Sequence, residues 1–187
     1  MGLDVSESPI VYPPLGENKS KPFKREGDKD ILKLGFCGLI MQSKGLHVLI
    51  EALRVAKNAN IPFKLDIAGK TFSAKYRQEL EKYCEENNLS EKINWLGFVE
   101  PEKLTKFYES IDILVFPSLY PESFGMVVAE AMYHEVLPIS SGVGGAFEVI
   151  THNINGLLIR PNDSHDLYNK IEWCYKERTK REKMAKK

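Results

Sequence analysis

From Leu32 onward, short apolar runs alternate regularly with segments whose apolar residues recur every three or four positions. Apolar runs of this length indicate buried strands, and the three-to-four-residue period indicates amphipathic helices. The pattern predicts about six strands, at 32–38, 63–68, 92–97, 111–116, 136–140 and 157–159. Helices are predicted between them at 46–58, 73–88 and 101–110, with another near 125 and a closing helix from Asp163.

Strands separated by helices at this spacing favour right-handed βαβ units in one parallel sheet. The predicted fold class is therefore α/β, a single Rossmann-like, doubly wound sheet with helices on both faces. Ligands of such sheets bind at the carboxyl ends of the strands. Five loops share that edge, at 39–45, 69–72, 97–100, 117–125 and 141–145.

Composition fits one ordinary globular domain. The chain has 187 residues, of which 43% are hydrophobic, enough to bury a core. Its 26 basic and 26 acidic residues balance, so no general attraction to nucleic acid is implied. Three widely spaced cysteines favour reduced, buried thiols. No apolar run reaches the ~18 residues of a membrane span, so we expect a cytoplasmic location.

The stretch PESFGMVVAEA at 121–131 lies where a strand gives way to a helix. The helix is predicted to open near Phe124 or Gly125, after the strand and Pro117-Ser118. A helix opening presents unpaired N–H groups and a partial positive charge, which suit phosphate oxygens. Gly125 has no Cβ and would let a ligand approach the backbone closely. The stretch therefore predicts an anion site.

Two glutamates bracket this helix opening. Their eight-residue separation predicts roughly 10–12 Å between the carboxylates of Glu122 and Glu130, about the span of a diphosphate. Acids so near phosphate would repel it unless each faces neutral hydroxyls, such as a sugar at one end and a ribose at the other. The alternative is that Glu122 is solvated and Glu130 lies on the wet face of the helix.

These residues resemble the donor-site motif of retaining GT-B glycosyltransferases of glycosyltransferase family 4, the glycosyl transferases group 1 domain. The motif is Glu-x7-Glu enclosing Ser123-Phe124-Gly125, after a strand that ends in Phe116-Pro117-Ser118. Further pieces match in the family's order: Lys44-Gly45, Gly69, Leu96-Gly97-Phe98, Gly144-Gly145 with Glu148, and Asn155-Gly156-Leu157-Leu158. The resemblance covers roughly residues 31–175, and the ordered set is more specific than any single piece.

The resemblance implies roles for the residues around the helix opening. Glu122 would bind hydroxyls of the donor sugar, with Ser123 nearby, and Glu130 would hold the ribose. Lys44 would be the cation that stabilises the diphosphate as a leaving group. The helix opening itself would hold the diphosphate, through Phe124, Gly125, Met126 and Val127.

The resemblance also implies where the nucleotide base would bind. It would lie near the loops at 69–71 and 97–99, with Gly38 on the neighbouring loop. These loops would contribute Gly69, Lys70, Thr71 and Phe98 to the donor site.

Two positions depart from the family's pattern. The family usually has Arg directly after the glycine matched to Gly38, and Leu39 stands there. Either full activity is lost or another residue replaces the charge, for which Lys70 is a candidate. After the central helix the family commonly has Gly and then Pro, whereas here Glu135 follows the helix and Pro138 comes one place late. This helix therefore ends without its usual glycine cap.

The resemblance implies transfer of a hexose from a nucleotide diphosphate sugar to an acceptor hydroxyl, with retained configuration and no obligatory metal or other cofactor. Residues 31–187 would be the donor-binding domain of a two-domain GT-B enzyme. The acceptor-binding domain would come in cis or as a partner chain, so we expect little transfer by this chain alone. The alternative function is a degenerate nucleotide-sugar-binding or assembly subunit.

The two ends of the chain differ from the rest in composition. Residues 1–30 hold four of the ten prolines and a mixed-charge stretch, which favours a linker or N-terminal arm. Residues 176–187 carry seven Lys or Arg against two Glu. A solvated helix end is the main interpretation of this tail, and weak contact with an anionic bilayer, at the inner membrane face, is the alternative.

Overall fold

The computed structural model describes residues 30–121 and 125–187. The predicted arm therefore lies outside the described residues, apart from its last residue, Asp30. Glu122, Ser123 and Phe124 lie outside them as well, so the predicted separation of the two glutamates stays a prediction.

Within these residues, six strands form one parallel sheet. They are β1 (Leu32–Cys37), β2 (Phe63–Ala68), β3 (Ile93–Gly97), β4 (Ile113–Phe116), β5 (Leu137–Ser140) and β6 (Leu157–Leu158). Their spatial order is β3-β2-β1-β4-β5-β6, so the order reverses between β1 and β4. Ligands of doubly wound sheets bind at such a reversal. The predicted fold class is confirmed.

Seven α-helices are described: α1 (Leu46–Asn58), α2 (Ala74–Glu86), α3 (Pro101–Ser110), α4 (Met126–Tyr133), α5 (Ala146–Val149), α6 (Ser164–Lys176) and α7 (Arg178–Met184). The predicted helices 46–58 and 101–110 are confirmed with the same bounds. The single closing helix from Asp163 was wrong, because the chain breaks at Glu177 and continues as α7. Short 3₁₀ turns, Gln42–Lys44 and Ser90–Lys92, complete the elements.

The sheet is covered on both faces. On one face α1, α2 and α6 pack through residues such as Leu49, Leu80 and Ile171. On the other face α3 and α4 pack through Tyr108 and Ala131. Strands β4 and β5 are buried along their whole length, as expected for central strands covered on both faces.

Local signals explain where several helices begin. Ser73 caps α2 by accepting a hydrogen bond from the Tyr76 N–H, and Asp163 caps α6 in the same way from the Asp166 N–H. Pro101 begins α3 at a position where the missing N–H costs nothing. These caps fix the helices that flank the loop edge of the sheet.

The end of α4 takes the shape of a glycine cap without a glycine. Glu135 has φ 54°, in the left-handed region that glycine favours. The Val136 N–H donates to the carbonyl of Ala131 at 2.9 Å, and the Glu135 N–H donates to Met132 at 3.0 Å. The turn therefore keeps the hydrogen bonds of a glycine cap although the usual glycine is absent. The cost is backbone strain at Glu135.

Helix α7 is fastened to the amino edge of the sheet by a buried arginine. Arg181 is 5% exposed and donates to the Cys174 carbonyl oxygen at 3.2 Å. Its guanidinium also lies 3.8 Å from the carboxylate of Asp112, just before β4. The second oxygen of Asp112 accepts from the Lys33 N–H at 3.1 Å. The arginine thus links α7, α6 and the sheet.

Candidate functional site

The loops after β1 and β2 are joined beyond the ends of their strands. The Ile40 N–H donates to the Lys70 carbonyl at 2.9 Å, and the Phe72 N–H donates back to Ile40 at 3.2 Å. Gly69 permits this approach, because a Cβ on it would lie 1.7 Å from the carbonyl oxygen of Gly38. The two loops therefore form one rigid ledge at the carboxyl edge.

A cavity of 340 Å³ opens beside this ledge, at the carboxyl ends of β1, β2 and β3. Its lining is mostly apolar, with one cation, and consists of Cys37, Gly38, Leu39, Ala68, Gly69, Lys70, Phe98, Val99 and Leu104. Phe98 is 63% exposed and Leu39 is 42% exposed. Exposed apolar side chains around an apolar concavity mark a candidate ligand-binding site.

Lys44 ends the 3₁₀ turn Gln42–Lys44, which lies against the loop after β4. The Leu119 N–H donates to the Ser43 carbonyl at 2.8 Å, and the Ser118 hydroxyl donates to the same oxygen at 3.3 Å. These bonds bring the lysine backbone next to the loop that leads to α4.

The amino end of α4 lies at the same edge. Gly125 precedes the helix with φ 70°, and a Cβ on it would lie 3.2 Å from the Cβ of Ala146. The first amides, at Met126 and Val127, have no partner within the helix. The Val127 side chain packs into the core, so Val127 can contact a ligand at this edge only through its backbone N–H.

Glu130 lies one turn further along α4 and faces the sheet. Its Oε2 accepts a hydrogen bond of 2.6 Å from the hydroxyl of Tyr108, on α3. Tyr108 is 1% exposed, and Cys37 packs against the buried cluster that contains it. Glu130 is half-buried, so the alternative of a solvated acid on the wet face of the helix is wrong.

Burial controls the ionisation of this cluster. Desolvation raises the pKa of the Cys37 thiol to about 11, and the nearby Tyr108 hydroxyl has a weaker, opposite effect. Desolvation also raises the pKa of Tyr108 well above its usual value, helped by the nearby Cys37 and Glu130. Both groups therefore hold their protons at neutral pH, and the tyrosine is a hydrogen-bond donor there.

The structure thus assembles the predicted residues in two groups. Gly38, Gly69, Lys70 and Phe98 line the cavity, and Thr71 lies on its ledge, paired with Ile40. Lys44, Gly125, Met126, Val127 and Glu130 lie on the β4 side of the same edge. The predicted sugar-binding residues Glu122 and Ser123, with Phe124, lie outside the described residues.

Sequence reasoning placed Val99 in the base-binding loop at 97–99, but it missed the cavity residues Cys37 and Leu104, and it missed Tyr108. A tyrosine on the apolar face of a helix is typical of core packing. Its contact with Glu130 joins residues 22 positions apart, and no local pattern indicates it. The described residues also contain no group of three or more His, Cys, Asp or Glu side chains arranged to hold a metal ion.

The family model for glycosyl transferases group 1 matches residues 17–187. The chain belongs to this family. An uncharacterized glycosyltransferase of Methanocaldococcus jannaschii is 38% identical over 129 residues. That match covers 68% of this chain and 32% of the relative, so the chain spans about a third of its length.

Solved structures of GT-B glycosyltransferases share the fold. Anabaena HepE, crystallised with UDP and glucose, aligns with a TM-score of 0.77 and 27% identity, over 84% of this chain and 42% of that one. The C-terminal domain of a glycosyl transferase group 1 protein from Francisella tularensis aligns with a TM-score of 0.76 and 26% identity. This alignment covers 98% of this chain and 93% of that domain. The chain is therefore the C-terminal domain of the GT-B architecture.

None of the helices in the described part of the chain is both long enough and apolar enough to cross a membrane.

Proposed function

We propose that this domain binds the nucleotide diphosphate sugar of a retaining hexosyltransferase, which transfers the hexose to an acceptor hydroxyl. The observation that carries the proposal is the continuous edge that joins the 340 Å³ cavity to the amino end of α4. One end of this edge suits a planar base and the other an anion. HepE, which shares the fold, was crystallised with UDP and glucose.

In this proposal the diphosphate lies at the opening of α4. The amides of Gly125, Met126 and Val127 donate to its oxygens, and the resemblance assigns the backbone amide of Phe124 to the same role. Lys44 supplies positive charge from the docked 3₁₀ turn. Donors and charge that are fixed in place stabilise a leaving diphosphate without reorganising during the reaction.

The nucleoside occupies the cavity side of the edge. Its base stacks near Phe98, and Gly69 to Thr71 shape the ledge beneath it. Glu130 accepts hydrogen bonds from the ribose hydroxyls. Lys70 shares the cavity with Leu39, which supports Lys70 as the replacement for the family's missing arginine.

During transfer the bond between the anomeric carbon and the diphosphate oxygen breaks, and a bond to the acceptor oxygen forms on the same face. The proton of the acceptor hydroxyl passes to the departing diphosphate, so a nucleoside diphosphate is the second product. Glu122, with Ser123 nearby, holds the sugar hydroxyls. The reaction needs no obligatory metal, since Lys44 and the helix amides meet the developing charge.

The acceptor site belongs to the second domain of the GT-B pair, in cis or on a partner chain. The relatives' greater length supports this division, since the chain spans 42% of HepE. The isolated 187 residues would therefore bind the donor weakly and transfer little or no sugar.

The test is calorimetric binding of UDP-, GDP- and ADP-sugars to the 187-residue chain. We expect one nucleotide class to bind, and Glu130→Ala to abolish that binding. Glu102→Ala is the matched control, because Glu102 is an exposed glutamate on α3 that does not line the cavity. Absence of binding to every donor, or unchanged binding by Glu130→Ala, would contradict the proposal.

A second candidate is a degenerate binding or assembly subunit without transferase activity. Its support is Leu39, an exposed apolar side chain where the family usually has arginine. Leu39→Arg separates the two when the second domain is supplied. A large gain in donor affinity or transfer would indicate an eroded enzyme. No change would indicate that Lys70 or another residue supplies the charge.

We also propose a cytoplasmic location with peripheral contact at the inner membrane face. The basic residues of α7 and the following tail support it, although several of them pair with acids, as Lys180 does with Glu177 at 2.9 Å. Co-sedimentation with vesicles of anionic and of zwitterionic lipid, at low and at physiological salt, tests this contact. Equal sedimentation with both lipids would contradict it.

A further inference from the structure

We propose that Tyr108 is a positioning residue that holds the Glu130 carboxylate in the orientation needed to accept the donor's ribose hydroxyls. This inference rests on the proposed function, because it gives Tyr108 a role only if Glu130 binds ribose. It adds a residue from α3, an element that carries none of the motif residues.

The first support is the geometry of the hydrogen bond. The Tyr108 hydroxyl donates to Oε2 of Glu130 at 2.6 Å, a length typical of a strong bond to a carboxylate. A carboxylate has two oxygens and accepts about four hydrogen bonds. Oε1 can therefore accept from a ligand while Oε2 is held.

The second support is the rigidity of the tyrosine. Its ring stacks on His134 with a centroid distance of 5.4 Å and an interplanar angle of 12°. Phe107 contacts it edge-on, also at 5.4 Å. With 1% of its surface exposed, Tyr108 has little freedom to rotate, so its hydroxyl fixes the Glu130 rotamer before a ligand arrives.

The third support is continuity with the cavity. Cys37 lines the cavity and packs against the buried cluster that contains Tyr108. The tyrosine that holds Glu130 is therefore packed in the same cluster as a side chain of the cavity wall.

The chain offers a matched control on α6. The Tyr168 hydroxyl donates to Oε1 of Glu172 at 2.8 Å, so Tyr168→Phe removes a tyrosine–glutamate bond of the same kind. Neither residue of that pair lines the cavity. Both phenylalanine substitutions keep the ring and remove only the hydroxyl, so neither opens a hole in the core.

The experiment measures calorimetric binding of UDP and of 2′,3′-dideoxy-UDP, which lacks the ribose hydroxyls, with GDP, ADP and their dideoxy forms in the same panel. We expect Tyr108→Phe to weaken binding of the ribonucleotide about tenfold, the effect of one hydrogen bond to a charged group. Binding of the dideoxy form should change less than about twofold. Tyr168→Phe should leave both unchanged.

Two results would overturn the positioning role while leaving the proposed function intact. One is an equal loss of affinity for the ribonucleotide and its dideoxy form, which would show that the hydroxyl acts on the fold alone. The other is normal ribonucleotide binding by Tyr108→Phe. If the wild-type chain bound none of the three diphosphates, the proposed function itself would fail, and the positioning role with it. Thermal unfolding of each variant identifies any general loss of structure.

Discussion

The carbonyl oxygen of Pro117 lies where a side chain on Gly45 would begin. A Cβ on Gly45 would be 1.9 Å from that oxygen, far inside contact distance. The contact, with the bonds from Ser118 and Leu119 to Ser43, fixes the turn that carries Lys44 against the loop before α4. The glycine of the Lys-Gly pair is therefore needed for the position of the lysine.

Gly45→Ala should destabilise the domain more than Gly97→Ala does. The two glycines have nearly the same φ, 70° and 69°, but nothing lies within 4 Å of a Cβ on Gly97. Gly97→Ala should cost about 1–2 kcal/mol from backbone strain alone. Gly45→Ala should cost at least about 2 kcal/mol more, since the clash is with backbone. Urea unfolding measures both, and equal costs would contradict the packing argument.

Glu135→Gly should stabilise the domain by roughly 0.5–1 kcal/mol, because glycine adopts the observed φ of 54° without strain. Glu135→Asn should give a smaller gain, since asparagine tolerates this region and keeps a polar side chain. Asn88→Gly, at φ 53°, is the control and should change stability little. Urea unfolding measures these changes. A lower midpoint urea concentration for Glu135→Gly than for the wild-type chain would show that Glu135 is not strained.

Arg181→Ala should lower the free energy of unfolding by about 3 kcal/mol, because it removes a buried cation from Asp112 and from the Cys174 carbonyl. Lys82→Ala breaks an ion pair whose side chains are 76% and 60% exposed, and it should cost less than about 0.5 kcal/mol. Guanidinium unfolding of the two variants and the wild-type chain measures both costs. Similar costs for the two would show that α7 is not fastened through Arg181.

Stability should fall as the pH rises above 9. Burial raises the pKa of Cys174 to about 12 and that of Cys84 to about 11, from an ordinary value of 9.0. Above pH 9 the unfolded thiols lose protons that the folded ones keep, so stability falls by about 1.4 kcal/mol per pH unit for each such thiol. Below pH 9.0, the ordinary pKa of the thiol, the stability that the buried, protonated thiols contribute is fully present.

Urea unfolding between pH 8 and 11, with reductant, measures the fall. Cys174→Ala should give a shallower slope than the wild-type chain, because one of the linked protons is gone. An unchanged slope would show that the Cys174 thiol does not contribute. The slope is the readout, so any cost of the substitution at neutral pH does not interfere.

The fold followed from the sequence because local pattern and tertiary environment agree along most of the chain. The strand at 63–68 and the helices at 46–58 and 101–110 have the predicted bounds. Strand β4 begins at Ile113, two residues later than predicted, because Ile111 packs against α3 on the far face. Helix α5 was missed because four residues, Ala146–Val149, are too few to show a period.

The site was predicted less completely, for a physical reason. Glycines and a lysine after strands are local signals, and the structure brings Gly38, Gly69 and Lys70 to one cavity. The contact of Tyr108 with Glu130 depends on how α3 and α4 pack, which periodicity does not encode. The shape of the turn at Glu135 came from backbone hydrogen bonds that a non-glycine residue can also make.

Under the proposed function, the joined loops after β1 and β2 limit how the domain's selectivity for a nucleotide can change. Because Gly38 and Gly69 touch through backbone atoms, neither loop can shift to suit a larger or smaller base without breaking the sheet edge. Selectivity must therefore vary through the side chains mounted on the ledge, Leu39, Lys70 and Phe98. Libraries that diversify these three positions and keep both glycines should explore new donors while the fold survives.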